Sequence, residues 1–179
     1  MATVSKNQPV QLMPEVSTNN ATRYVWAATR ILLGWTFLWA FLDKFFGWGY
    51  ATPAGKGWID GGEPTRGFLS GAAKGPFADF YHSIAGAGWA DTLFMLGLLG
   101  TGVALLLGVG MRIAAGSGAL LAVLMWTVAL PPANNPVTDE HLLYAIVLIG
   151  LALANAGDTF GFGRRWSQLD LVKRYPFLR

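Results

Sequence analysis

Thr92-LFMLGLLGTGVALLLGVGMRIAAGSGALLAVLMWTVA-Leu130 is the stretch whose reading decides the fold. These 39 residues carry a single charge, Arg112, near their middle. A hydrocarbon core about 30 Å thick needs roughly 20 apolar residues per helix at about 1.5 Å each, and the stretch supplies two such lengths. Gly108, Gly110 and Arg112 interrupt it where a tight turn belongs, so it reads as a transmembrane helical hairpin. A soluble chain of 179 residues has too little core to bury it on all sides.

Working outward, the same pattern recurs. Tyr24 to about Phe46 forms a first span, apolar except for Arg30, Asp43 and Lys44. The hairpin itself divides into spans of about 89–111 and 113–130, the latter stopped by Pro131-Pro132, which cannot continue a helix. A fourth span of about 139–157 follows, with Thr138 as the expected N-cap and Asp139 and Glu140 in its first turn, where the helix dipole favours acids. The expected fold is therefore all-α: an integral membrane four-helix bundle. It lies between a tail of residues 1–23 and a basic tail of residues 158–179. The first 23 residues lack an apolar core, so no cleavable signal peptide is expected and the first span acts as the insertion signal.

Residues 47–88 make a long outer connection. It is glycine-rich but carries Trp48, Tyr50, Trp58, Phe68, Phe77, Phe80, Tyr81 and Ile84, large apolar side chains a disordered linker would lack. Pro76 at a helix start, followed by apolar residues at 77, 80, 81 and 84, predicts a short amphipathic helix ended by Gly86 and capping the bundle. Orientation follows from the basic residues. Nine of the thirteen fall on one side if both termini are cytoplasmic, against Lys44, Lys56, Arg66 and Lys74 on the other. This predicts a multi-pass protein of the cell membrane, with the basic-aromatic tail resting on the inner leaflet.

Composition narrows the chemistry. Hydrophobic residues make up 53% of the chain and charged residues 13%, against roughly 25% in soluble domains. The pI of 9.4 reflects basic residues at span ends rather than a nucleic-acid stripe. With no cysteine, disulfides, thiol–quinone exchange, iron–sulfur clusters and Cys-ligated haem or zinc are excluded. The two histidines, His82 and His141, are not placed to face each other as haem ligands, and no metal-ligand spacing, phosphate loop or nucleophile–base pair is present.

The polar residues inside the spans are the functional candidates, because ionisable groups there are costly. Arg30 either snorkels, pairs with Asp158 or Asn155 at the inner end of the fourth span, or offers a fixed charge to an anionic ligand. Trp35, Trp39 and Asp43 share one helix face at four-residue intervals, with Lys44 adjacent. They read either as an interfacial aromatic belt or as a quinone slot in which Lys44 donates to a ring carbonyl. His141, beside Asp139 and Glu140, is either an interfacial polar residue or the acceptor of a proton released on quinol oxidation. Asp43 and Lys44 are the other catalytic candidates. Gly97, Gly100, Thr101 and Gly102 are assigned to close helix packing.

At residue level the chain resembles the DoxX family and its relative DoxD, a subunit of thiosulfate:quinone oxidoreductase. The resemblance lies in Arg30-Ile-Leu-Leu-Gly34, in Asp43-Lys44-Phe45-Phe46-Gly47 and in the Gly-Val-Gly-Met-Arg112 turn. It continues in Gly61-Gly62-Glu63-Pro64-Thr65-Arg66-Gly67 and in Gly161-Phe-Gly163-Arg164-Arg165-Trp166 with Leu169-Asp170. It implies a four-helix membrane bundle linked to quinones and to sulfur or redox metabolism, working with other membrane or redox subunits. Two functions follow: a quinone-interacting subunit of a membrane oxidoreductase, or a non-catalytic scaffold of a larger redox complex. A small transporter is disfavoured by the lack of paired broken helices.

Overall fold

A computed structural model describes residues 20–179; the tail read from the sequence as residues 1–23 lies mostly outside them. Among the described residues every regular element is helical. Eight α-helices occur in chain order: α1 (Asn20–Phe46), α2 (Arg66–Gly71), α3 (Ala78–Ile84), α4 (Gly88–Leu107), α5 (Met111–Val128), α6 (Glu140–Leu153), α7 (Gly163–Trp166) and α8 (Asp170–Arg174). Three of them, α1, α4 and α5, are long and apolar enough to cross a membrane.

The surface agrees with a lipid environment. Leu32, Leu93, Leu120 and Leu153, one from each of the four apolar helices α1, α4, α5 and α6, are each more than 60% exposed. Water-soluble proteins rarely present such apolar faces together. The interior, in contrast, holds Arg30, Asp43, Asp91 and Thr101 among its fully buried groups.

Packing runs in a chain, α1 against α4, α4 against α5 and α5 against α6, with α6 touching α1. Glycines allow the closest approaches. A Cβ at Gly34 would lie 2.9 Å from Leu105 Cβ, and one at Gly102 would lie 2.7 Å from the Leu38 backbone nitrogen. On α5, a Cβ at Gly118 would lie 2.7 Å from Thr101 Cγ2. Gly97 and Gly102 thus serve the packing expected of them, while Gly100 faces open space. The hairpin turn sits where glycine permits it: Gly108 and Gly110 both adopt left-handed φ, 70° and 59°.

The fourth span is shorter than its sequence suggests. α6 is capped by Asp139, not Thr138: the Asp139 carboxylate accepts the His141 and Leu142 N–H groups. It ends at Leu153, because Asn155 turns left-handed (φ 48°) and a 3₁₀ turn takes over at Ala156–Asp158. Fourteen helical residues cover about 21 Å, less than a bilayer core.

The 47–88 connection is folded. Its amphipathic helix is α3, which starts after Pro76 and Phe77 and ends before Gly86. Tyr81 is buried and Ile84 partly so, while Phe77 and Phe80 stay exposed. Nothing in the residue pattern signals α2, which packs on α3 through Leu69, joined by Ala73 just beyond it, around Tyr81 and Val128. At the opposite end the tail folds back on the hairpin turn: Arg179 O accepts the Arg112 N–H at 2.8 Å, and Arg112 donates to Pro176 O at 3.0 Å.

Candidate functional site

Arg30 is completely buried, and its partners differ from those expected. Its guanidinium donates to the carbonyls of Leu105 and Leu106 (3.0 Å to the latter) and of Thr159 and Phe160 (3.3 and 2.9 Å). Asp158 instead pairs with Arg179 at 3.1 Å. The expected Arg30–Asp158 pair therefore does not form. The physical reason is the end of α4, whose last four carbonyls lack helical partners and carry the negative end of the dipole. Gly108 N–H serves Ala104 and Leu105, Arg30 serves Leu105 and Leu106, and the Phe162 N–H reaches Leu107 at 2.8 Å. Each carbonyl is satisfied, and Arg30 is a C-cap supplied by a neighbouring helix. Tyr24 stacks on Phe160 with ring centroids 5.5 Å apart, holding the turn that supplies the other two carbonyls.

The aromatic face of α1 does assemble. Trp39 meets Trp35, Trp48 and Tyr50 at centroid distances of 5.7, 5.5 and 5.1 Å. Asp43, however, turns away from the surface to hold the following loop, accepting the Tyr50 and Thr52 N–H groups at 3.3 and 2.8 Å. Lys44 is half-buried, with no hydrogen-bond partner for its ammonium among the described residues. Trp35, Trp48 and Tyr50 are exposed, so these side chains form an aromatic surface and not an enclosed slot.

His141 is held by its own helix start: Nδ1 lies 2.7 Å from Asp139 Oδ2, while Asp139 Oδ1 caps the backbone. Asp139, Glu140 and His141 bring one ligand-type atom each within 4.8 Å of one another. Both oxygens of Asp139 are already committed to this cap. His82, on α3, is exposed.

An apolar groove lies elsewhere, between α4 and α5, and it is open on one side: Trp89, Leu93, Leu120 and Leu124 of its lining are exposed. Its volume is about 410 Å³, and it lies at the end of these helices away from their turn. Phe94, Leu121, Leu124 and Met125 form its walls, and Leu69, Tyr81 and Ile84 from α2 and α3 roof it. Along α5 it reaches from Ser117 to Val128, about 16 Å at 1.5 Å per residue. The amphipathic helix expected to cap the bundle contributes Tyr81 and Ile84 over α4 and α5. His141 does not line the cavity; its ring stands 6.1 Å from that of Phe68, which does.

Two polar clips hold the roof. Buried Asp91 Oδ1 accepts both the N–H and the hydroxyl of Thr65 (2.8 and 2.7 Å), and the Gly86 N–H donates to the same hydroxyl. The Tyr81 hydroxyl meets Thr127 Oγ1 at 2.5 Å on α5. At the rim, exposed Glu63 holds the Arg66 guanidinium by a hydrogen bond and its charge, raising a pKa that is already high. Sequence reasoning missed the cavity because its lining is ordinary apolar residues. The one available signal was Asp91, a carboxylate at the mouth of an apolar span. No family model, curated protein or solved structure matches the chain.

Proposed function

We propose that this chain is a DoxX-like integral membrane protein, a four-helix bundle with both termini cytoplasmic, which serves a membrane redox complex by holding a quinone-class molecule between α4 and α5. The cavity carries this reading. Its volume of about 410 Å³ falls in the usual range of small-molecule sites. Its lining is aliphatic and aromatic, suited to a methylated ring and the first units of an isoprenoid tail. With 47–88 outside, it sits near the outer boundary of the hydrocarbon, where a quinone ring resides. No carboxylate, imidazole or amine lines it, so this chain binds and orients the ring while a partner subunit exchanges electrons and protons.

The alternative is a non-catalytic accessory subunit. It is favoured by one observation: the buried charges Arg30, Asp43 and Asp91 all hold backbone. Mild extraction, native mass spectrometry and lipid analysis separate the two. Co-purified quinone, lost from a Leu121→Trp/Met125→Trp variant that enlarges half-buried lining residues, is the expected result. Quinone retained by that variant refutes the placement, and its absence from the parent with native partners present leaves the accessory reading.

A further inference from the structure

The charge of this chain is concentrated at one end. Residues 158–179 hold five basic and two acidic side chains, and the rest of the sequence is balanced, so this segment carries the whole formal charge of +3. Arg164, Arg165, Lys173 and Arg174 are exposed. Of the two acids, Asp158 is taken by Arg179 at 3.1 Å and Asp170 lies 3.5 Å from Lys173. Arg164, Arg165 and Arg174 have no ion-pair partner among the described residues. Large apolar side chains stand among these charges: Phe160, Phe162, Leu171 and Phe177 are each more than half exposed. A surface facing water rarely combines the two, whereas a segment lying among lipid headgroups does.

The fold fixes where this surface stands. The Phe162 N–H donates to Leu107 O at the end of α4, and the Arg112 N–H at the start of α5 donates to Arg179 O, both at 2.8 Å. The Trp166 indole closes the segment on itself by donating to Leu178 O at 2.6 Å, and Val172 is buried beneath it. A membrane that holds α4 and α5 therefore puts their turn, and the segment tied to it, at its boundary.

We propose that this folded segment is a binding surface for anionic phospholipid, with Arg164, Arg165 and Arg174 on the headgroup phosphates and Phe160, Phe162 and Phe177 seated among the first carbons of the acyl chains. A guanidinium fork matches phosphate geometry, and each basic residue beside an anionic membrane surface gains roughly fivefold in affinity. The same segment supplies the Thr159 and Phe160 carbonyls to Arg30, so lipid bound here holds together the joint of α1, the hairpin turn and the tail. None of this depends on what the groove between α4 and α5 holds.

The test places the purified full chain in nanodiscs of phosphatidylglycerol and phosphatidylcholine in equal amounts, with the same acyl chains. Lipid that stays with the protein on extraction is then counted by mass spectrometry. The chain should keep phosphatidylglycerol about tenfold or more over phosphatidylcholine, and molar salt should erase most of that preference. Arg164→Gln/Arg165→Gln should lose most of it and Arg164→Lys/Arg165→Lys only part. Lys56→Gln/Lys74→Gln, which removes two exposed charges from the outer connection, should leave it unchanged. Phosphatidylglycerol should also raise the melting temperature of the parent and not that of the glutamine variant. Equal retention of the two lipids by the parent overturns the proposal, and so does a preference that salt does not weaken. Equal loss in the Lys56 and Lys74 control overturns the placement on the tail.

Discussion

Replacing Arg30 by Met tests whether a membrane arginine can act as a helix cap instead of half an ion pair. The guanidinium serves four carbonyls, two at the end of α4 and two in the 159–160 turn. Leu105 O would keep the Gly108 N–H at 3.1 Å, so the other three carbonyls lose their charged donor with nothing in its place. At roughly 1–1.5 kcal/mol each after partial rehydration, the substitution should cost about 3–5 kcal/mol. Arg30→Lys should recover less than half, since one ammonium cannot reproduce the planar fork. Asp158→Asn is the decisive control. It removes only the pair with Arg179, whose side chains are 41% and 26% exposed, and should cost no more than about 1 kcal/mol. Thermal unfolding in detergent, followed by tryptophan fluorescence, reads the difference as a drop of roughly 10 °C for Arg30→Met against a few degrees for Asp158→Asn. Equal losses would falsify the capping account and restore the ion pair read from the sequence.

Asp91→Asn weakens both bonds to Thr65, and the roof over the cavity should loosen by about 1–2 kcal/mol. Hydrogen exchange should then quicken roughly tenfold in residues 65–71 and 78–86 but not at the Arg30 end; unchanged exchange in the roof contradicts the clip. Asp43→Ala frees the Tyr50 and Thr52 N–H groups, at about 1–2 kcal/mol, and should open 48–57 to proteolysis while leaving any cavity ligand in place. Loss of that ligand would return the site to α1. Cysteines introduced at Ser17, Ser70 and Ser167 and labelled with an impermeant reagent in intact cells should react at Ser70 alone, and the reverse pattern inverts the topology.

The helices were legible because their signals are local. Apolar length marked α1, α4 and α5, and Gly108 with Gly110 marked the turn between the last two. The C-terminal boundary of α6 was not legible, since Asn155 and Asp158 continue the composition of an interfacial helix while the backbone has already turned. The α1 aromatic face was read correctly as a cluster, yet its enclosure depended on Asp43, and a carboxylate at a helix end gives no sign of whether it faces a ligand or the next loop. The cavity was illegible for a different reason. Its lining is drawn from α2, α3, α4 and α5 together, and how four separate helices meet is not written in any one of them.

Three separated stretches of the sequence meet at one joint. Arg30 comes from the first of them, Gly108 from the hairpin turn and Gly161 from the tail; a Cβ at either glycine would lie 3.2 Å from the Arg30 guanidinium. Added at Gly157, a Cβ would collide with Gly108 O. These glycines are small because an arginine and two backbones occupy the space, and the arginine is there because α4 ends in carbonyls that lipid cannot satisfy. Substituting any of them disturbs one joint among α1, the hairpin and the tail. Such a joint fixes the fold without naming a substrate. The apolar groove lies at the other end, where Asp91, Thr65 and Tyr81 hold a roof over it.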